Sequence, residues 1–315
     1  MITVSTILAI YKEPIDWIEK SVKSIVEQER LIEFKNEIII VLDNPTRTDE
    51  IEVLITVLDG VLHEHDSLML IKNKRNIGLA MSLNKALEST TGEFIARLDA
   101  DDVNVSNRYS VQIDFLRNNP SISLCGSAIY RINEEGRTVG EAVNSADFSV
   151  LKHNLSFKSM AYHPTWFARR VLYTELNGYR NIPAAQDLDF LLRAVDKGYI
   201  LSNCEEKLVY YRINNESISI KKSLIQKKCQ RFIVSKYKSG VIQADINQKE
   251  LLSFISFSEL QNTMHMYSQK FFAYSSNNRS RGNMLLSFFQ LCLSAVISKE
   301  QFLFLSRVVI SRFFK

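Results

Sequence analysis

Residues 37–42, Glu37-Ile38-Ile39-Ile40-Val41-Leu42, form a near-continuous β-branched run. A strand with one face in water alternates apolar and polar residues. This run does not alternate, so it is expected to be buried on both faces, as in a sheet covered by helices. Its neighbours fit that frame. Residues 4–10 are a second apolar run ending at Tyr11-Lys12-Glu13-Pro14, and Pro14 suits the first turn of a helix. Ile15, Ile18, Val22, Ile25 and Val26 then recur at helical spacing. The run 37–42 stops at Asp43-Asn44-Pro45, a loop signal. Residues 67–72 predict another strand, followed by Asn76-Ile77-Gly78 and a helix carrying Leu83, Ala86 and Leu87. Gly92 breaks that helix, and residues 93–98 form a fourth strand that runs straight into Asp99-Ala100-Asp101-Asp102.

Strands alternating with helices predict an α/β fold: a mostly parallel, Rossmann-like sheet with right-handed crossovers. Such sheets bind ligands outside the carboxyl ends of their strands. Three polar clusters fall at those ends: residues 11–13, 43–44 and 99–102. Beyond residue 120 the pattern loosens. Residues 123–130 predict a strand, 133–140 a polar turn, 187–195 a helix with Leu188, Leu191, Leu192 and Val195 on one face, and 209–212 a strand. From about residue 220 only helices are expected.

The 315 residues suffice for a full core without staples. Four cysteines show no C-x-x-C pair and no zinc spacing, which suits a reduced, cytoplasmic chain. No signal peptide is expected at the N-terminus, and no apolar stretch reaches 18 residues. The net charge of +4 hides an asymmetry: residues 220–315 carry 15 Lys or Arg against 4 Asp or Glu, and the rest of the chain is net acidic at −7. A basic tail suggests a polyanionic neighbour. It carries no recognised nucleic-acid module, so no nucleic-acid partner is expected.

Three carboxylates within four residues repel one another unless they are solvated or neutralised. A hard divalent cation relieves this, and such a cation can bridge a diphosphate. The other reading of Asp99, Asp101 and Asp102 is a solvated loop or a helix cap; their place after a buried strand favours the cation. Asp43 is either a turn former or an acceptor for the imide N–H of a uracil ring. Arg75 is either a surface residue or a phosphate fork. Asp187 opens an apolar helix, as a cap or as a general base for an acceptor hydroxyl. A lone His163 is expected to be structural. No G-x-S-x-G, P-loop or G-x-G-x-x-G is present.

The order Tyr11-x-Glu13, Asp43, Arg75-Asn76-x-Gly78-Leu79, Gly92-Glu93-x5-Asp99-x-Asp101-Asp102 and Gln186-Asp187-x-Asp189-x3-Arg193 resembles the family 2 glycosyltransferases. The resemblance covers roughly residues 2–219 and is strongest to bacterial enzymes of O-antigen, capsule and exopolysaccharide synthesis. It implies a GT-A fold over residues 1–219, with residues 220–315 as a basic helical appendage. It also implies inverting transfer from a nucleotide sugar, with UDP as the expected nucleotide, to a saccharide acceptor linked to polyprenol diphosphate. By position, Ile10, Tyr11, Glu13 and Asp43 match nucleoside-binding residues. Arg75 helps to hold the nucleotide, and Asp99 meets the ribose or assists the metal. Asp101 and Asp102 ligate Mn or Mg, and Asp187 is the base.

Two departures stand out. Gln186 replaces a common Glu, and Asn214 replaces a His that often joins the metal or diphosphate site. Besides a nucleic-acid-binding protein, which the basic tail alone would suggest, two rival functions remain. A nucleotidyltransferase would need a glycine-rich loop after the first strand, where Tyr11-Lys12-Glu13-Pro14 stands. A non-catalytic sugar-nucleotide-binding or scaffold member would tolerate loss of Asp99, Asp101 and Asp187, which are all present. The basic tail and the apolar stretches 285–297 and 302–315, with Arg307, Arg312 and Lys315, suggest peripheral contact with an anionic membrane surface at the inner face of the plasma membrane.

Overall fold

The computed structural model describes residues 1–155, 161–213 and 223–313. These group into two compact units. The first holds every strand and the helices up to Asp196; the second holds the helices from Ser223 onward, together with Pro183–Ala185.

Apart from one added helix between its second and third strands, the first unit begins as the sequence predicts. β1 (Ile2–Ile10), α1 (Ile15–Val26), β2 (Phe34–Leu42), α2 (Thr48–Asp59), β3 (Ser67–Lys72), α3 (Leu79–Glu88) and β4 (Phe94–Arg97) follow in turn. β5 (Val103–Asn104), α4 (Arg108–Asn118), β6 (Ile122–Ile132), β7 (Thr138–Ala142) and α5 (Phe148–Leu155) come next. β8 (Phe167–Arg169), α6 (Arg170–Glu175), α7 (Gln186–Asp196) and β9 (Ile200–Arg212) complete it. The sheet order is β3-β2-β1-β4-β8-β6-β9-β5, with β7 on β6. Pairing is parallel from β3 to β4. Beyond β4 the sheet is mixed: β8 runs antiparallel to both β4 and β6, whereas β6 and β9 are parallel.

The run that anchored the sequence reading is buried on both faces, with Ile38 to Leu42 at most 2% exposed. One face of β1 and β2, with Val4, Leu8, Ile38 and Ile40, packs with Ile18, Val22 and Ile25 of α1. The other face is covered by α3. α2 lies in a stretch for which the sequence reading offers no element. It buries Ile51, Leu54, Ile55 and Leu58 at helical spacing. α4 is also unforeseen, because its buried face is largely polar: Arg108, Ser110 and Gln112 join Tyr109, Ile113 and Leu116.

Gly92 does not end the preceding helix, which closes at Glu88 with Ser89 as its cap; it packs against β1 instead. Its N–H donates to Ser5 Oγ at 2.9 Å, and Ser5 Oγ donates to Glu37 at 2.6 Å. Glu37 also accepts from Thr91 N at 3.0 Å. Burial opposes ionisation of Glu37, but these hydrogen bonds prevail and hold its pKa below the usual range. A Cβ at position 92 would stand 2.8 Å from both Ser5 N and Thr3 O.

On the far side, Asp189 is fully buried and accepts from Arg180 Nε and Arg193 Nε, each at 2.9 Å. Arg193 passes on to the carbonyls of Leu176 at 2.6 Å and Gly178 at 2.7 Å. One carboxylate thus fixes the turn that carries Tyr179.

The second unit contains α8 (Ser223–Lys238), α9 (Gln248–Ile255), α10 (Glu259–Ser280), α11 (Met284–Ile297) and α12 (Lys299–Phe313). α10 and α11 form a helical hairpin around Gly282, which adopts φ +82°.

Two outcomes test this account. Gly92→Ala is expected to lower stability by about 1–3 kcal/mol, read as a shift in the urea midpoint. An unchanged midpoint would mean that the 91–93 segment can move off β1. Asp189→Ala removes the buried carboxylate that joins Arg180 and Arg193 and is expected to cost about 3–5 kcal/mol. A loss below about 1 kcal/mol would show that Arg180 and Arg193 reach water instead.

Candidate active site

The acidic loop leaves β4 directly. Leu98 N donates to Ile7 O at 3.3 Å, and Asp102 N closes a turn onto Asp99 O at 3.1 Å. Ala100 is buried between the carboxylates, and α1 grips the loop from one side. Ser21 Oγ donates to Asp99 O at 3.1 Å, and Asn104 N donates to Ser24 Oγ at 2.9 Å. The result brings ligand oxygens of Asp99, Asp101 and Asp102 within 4.8 Å of one another.

Their environments differ. Asp99 forms a bidentate pair with the buried guanidinium of Arg97. Asp102 is buried; its Oδ1 accepts the Arg212 N–H at 2.7 Å, while Oδ2 has no hydrogen-bond partner. Burial, then Asp101 and Asp99, pushes the Asp102 carboxyl well above the usual range. Burial, then Asp99 and Glu13, pushes Asp101 up to about 7. These are the marks of carboxylates short of positive charge. The donor set, all carboxylate oxygens with one of them orphaned, suits a hard divalent cation.

Three arginines outside the sequence-predicted set build the loop's support. Arg97 N donates to Trp166 O at 2.9 Å. Arg108, fully buried, reaches Asn104 Oδ1 at 2.6 Å, Gln112 Oε1 at 2.9 Å, Arg97 O at 3.0 Å and Trp166 O at 3.2 Å. Among the described residues no carboxylate pairs with it directly, and burial lowers its pKa to about 10. Arg212 donates from Nε to Asp101 O at 2.9 Å and from Nη1 to the carbonyls of Asn133 and Glu134, both at 2.9 Å. It lies over the Trp17 ring at 4.5 Å. The only sequence signal for these residues is their closeness to the acidic run or to a strand end.

The other predicted residues gather at the same strand ends. Ile10 is buried at the end of β1, and its carbonyl accepts Asp43 N at 2.8 Å. The Glu13 carboxylate accepts the N–H groups of Tyr11 at 2.7 Å and Lys12 at 3.1 Å. It turns the chain next to the acidic loop, and its charge is felt at Asp101. Asp43 is buried and already occupied: Oδ1 accepts from Asn73 Nδ2 and Ile77 N, both at 2.8 Å, and Oδ2 from Gly78 N at 2.9 Å. It holds the 76–78 loop, so a contact to a base would fall to its remaining lone pairs. Gly78 takes φ +85° at the start of α3, a conformation that favours glycine. Arg75 projects from that loop, exposed and with no hydrogen bond or ion pair among the described residues.

Asp187 stands half-buried in the first turn of α7, after Ala185 at φ +62°, an unfavourable conformation for alanine. Close by is an aromatic cluster of His163, Trp166, Tyr173, Tyr179 and Phe190. His163 Nε2 meets Tyr179 Oη at 2.8 Å. Burial, with the Arg97 charge, drives the His163 pKa well below its usual value, so the ring is neutral. Burial first, with Tyr173 and Asp187 among the further causes, raises the Tyr179 phenol. The Arg97 and Asp187 charges both act on Tyr179. Asn214, the other residue of interest, lies outside the described residues.

Comparison with known proteins fits this geometry. Residues 5–175 match the family described as Glycosyl transferase family 2. An uncharacterised glycosyltransferase of Methanocaldococcus jannaschii is 32% identical over 213 residues, covering 67% of this chain and 71% of that protein. An Escherichia coli protein named UDP-Gal:alpha-D-GlcNAc-diphosphoundecaprenol beta-1,3-galactosyltransferase is 25% identical over 184 residues, covering 58% and 64% respectively. Among solved structures, residues 1–349 of S. aureus TarS in complex with UDP-GlcNAc share the fold at TM-score 0.59 and 15% identity, covering 94% of this chain and 84% of that one. Against a longer TarS chain the match spans 49% of its length, at TM-score 0.52 and 16% identity. With the sheet, the acidic loop and more than half the sequence matched, the chain belongs to glycosyl transferase family 2.

Proposed function

We propose that this protein moves a sugar from a UDP-sugar to a hydroxyl of a saccharide acceptor carried on polyprenol diphosphate, with inversion at the anomeric carbon, in the assembly of a bacterial surface polysaccharide. The observation that carries the reading is the crowded carboxylate trio, with its orphaned Asp102 oxygen, at the carboxyl end of a central strand. The E. coli relative's name gives a UDP-sugar donor and a diphosphoundecaprenol acceptor, which favours both choices. TarS crystallised with UDP-GlcNAc supports a nucleotide sugar in a fold of this kind.

In this reading residues 1–219 are the catalytic domain and residues 220–315 a basic appendage, working at the cytoplasmic face of the membrane. Ile10, Tyr11, Glu13 and Asp43 flank the nucleoside, Arg75 helps to hold the nucleotide, and Asp99 meets the ribose or assists the metal. Asp101 and Asp102 would hold a divalent cation, Mn or Mg, which when bound would supply the positive charge that a departing diphosphate requires. Asp187 takes the proton of the acceptor hydroxyl as that oxygen attacks from the face opposite the diphosphate. An α-linked donor then yields a β-linked product. A panel of nucleotide sugars, with release of nucleoside diphosphate as readout, tests the reading. Release from no donor, with or without saccharide acceptors, would overturn it.

Excess chelator is expected to abolish turnover, and added Mn or Mg to restore it. Asp101→Ala is expected to lose turnover without a fall in melting temperature, since it removes one charge from a self-repelling trio. Full turnover in chelator, or in the variant, would remove the cation from the reaction.

Asp187→Asn is expected to bind donor normally, by calorimetry, and to lower transfer by about 10²–10⁴-fold. Near-parental transfer would leave Asp187 as a helix cap and place the base elsewhere.

A further inference from the structure

The α10–α11 hairpin is built inside out. α11 turns Leu285 (89% exposed), Phe288, Phe289 and Val296 (83%) to the outside. Its buried positions are Ser287 and Ser294. α10 repeats the pattern, burying Ser268 and Ser275 and exposing Met264, Met266, Tyr267 and Tyr274. The seam between the helices is hydrogen-bonded. Ser268 Oγ donates to Ser294 O at 2.6 Å, Ser275 Oγ to Ser287 O at 2.8 Å, Ser287 Oγ to Ser275 O at 2.9 Å and Asn278 Nδ2 to Gln290 Oε1 at 2.9 Å.

In water, paired helices gain by placing leucine and phenylalanine between them and serine outside. The reverse suits apolar surroundings, where small residues and interhelical hydrogen bonds hold helices together. Length limits how deep the hairpin can go. α11 has 14 residues, about 21 Å of helix, against a hydrocarbon core of about 30 Å. No helix among the described residues is long and apolar enough to cross a membrane.

Charge decides between occupants. Lys270, Arg279, Arg281 and Lys299 are exposed on or beside the hairpin, and Glu259 is the one acidic residue between positions 259 and 299. None of the four cations makes an ion pair among the described residues. A second copy of this face would bring like charges together, whereas an anionic lipid surface neutralises them.

We propose that the α10–α11 hairpin is an interfacial membrane anchor: its outer apolar face enters the headgroup boundary of an anionic bilayer, and its basic residues meet the lipid phosphates. The tyrosines lie at the boundary with their hydroxyls toward water. The entry face is thus α11 and the outer side of α10. The side chains of Arg307, Arg312 and Lys315, which the sequence favours as lipid contacts, lie outside the described residues. The anchor does not depend on which sugar is moved, or on whether any is.

Cys292 supplies a native probe site. It is exposed on α11, whereas Cys125, Cys204 and Cys229 are buried. The full chain, labelled there with a polarity-sensitive thiol dye, is mixed with vesicles of equimolar phosphatidylglycerol and phosphatidylcholine, or of phosphatidylcholine alone. A blue shift and co-sedimentation with the anionic vesicles are expected, weaker with neutral vesicles and reduced by salt. Leu285→Glu with Val296→Glu, both on exposed positions, is expected to lower the vesicle partition coefficient roughly a hundredfold with helicity unchanged. Lys270→Glu with Arg279→Glu is expected to remove most of the salt dependence and to keep the fold. Absence of binding to anionic vesicles at low salt overturns the proposal, as does parental binding by the Leu285/Val296 variant. A chain that ignores vesicles but forms a dimer abolished by that variant also overturns it, and identifies a second copy as the occupant.

Discussion

The structure around the site depends on one electrostatic constraint. Three carboxylates brought within 4.8 Å at the end of a buried strand need positive charge nearby, and the fold supplies it as arginine. Arg97 faces Asp99, Arg108 lies behind the loop, and Arg212 reaches the Asp101 carbonyl while its own N–H serves Asp102. Each of these residues also ties strands or loops together. Trp166 O accepts from both Arg97 and Arg108, so the antiparallel insertion of β8 beside β4 is bound up with charge compensation at the loop. The three arginines relieve part of the repulsion but leave Asp101 and Asp102 with raised pKa values.

Much of the first half of the fold was legible in the sequence because it obeys simple periods. The all-apolar run at 38–42 demanded burial on two faces, and the strand–helix alternation demanded parallel pairing as far as β4. β8 escaped because three residues cannot show a period, and its pairing is set by partners distant in sequence. α4 escaped because its inner face carries Arg108, Ser110 and Gln112, side chains that give no apolar stripe. α2 is a different case. Ile51, Leu54, Ile55 and Leu58 keep a regular helical spacing, which was there to be found.

The site shows the same division. Asp99, Asp101 and Asp102 could be picked out because like charges placed side by side after an apolar strand need an explanation from chemistry. The cost of burying Arg97 and Arg108 gives no such signal: a single arginine in a strand or helix looks like surface until the fold is known. Asp43 was found for a broader reason than its geometry supports, since its oxygens are largely given to the 73–78 segment. His163, expected to be structural, is a neutral ring held by Tyr179. The serine seam of the C-terminal hairpin was hidden because each serine alone is unremarkable; only the pairing of Ser268 with Ser294 and of Ser275 with Ser287 reveals which side of each helix faces in.

The hydrogen bond from Arg212 N to Asp102 Oδ1 joins residues 110 positions apart. Contacts of such separation form late, because the closure entropy of the intervening chain is met before the contact rewards it. The acidic loop therefore depends for its final shape on a strand far along the chain. A sheet of β1, β2, β3 and β4 alone lacks the Arg212 N–H that Asp102 accepts. The arrangement of the acidic loop is thus a property of the completed topology, and a polypeptide halted before residue 212 would display the carboxylates without the strand that arranges them.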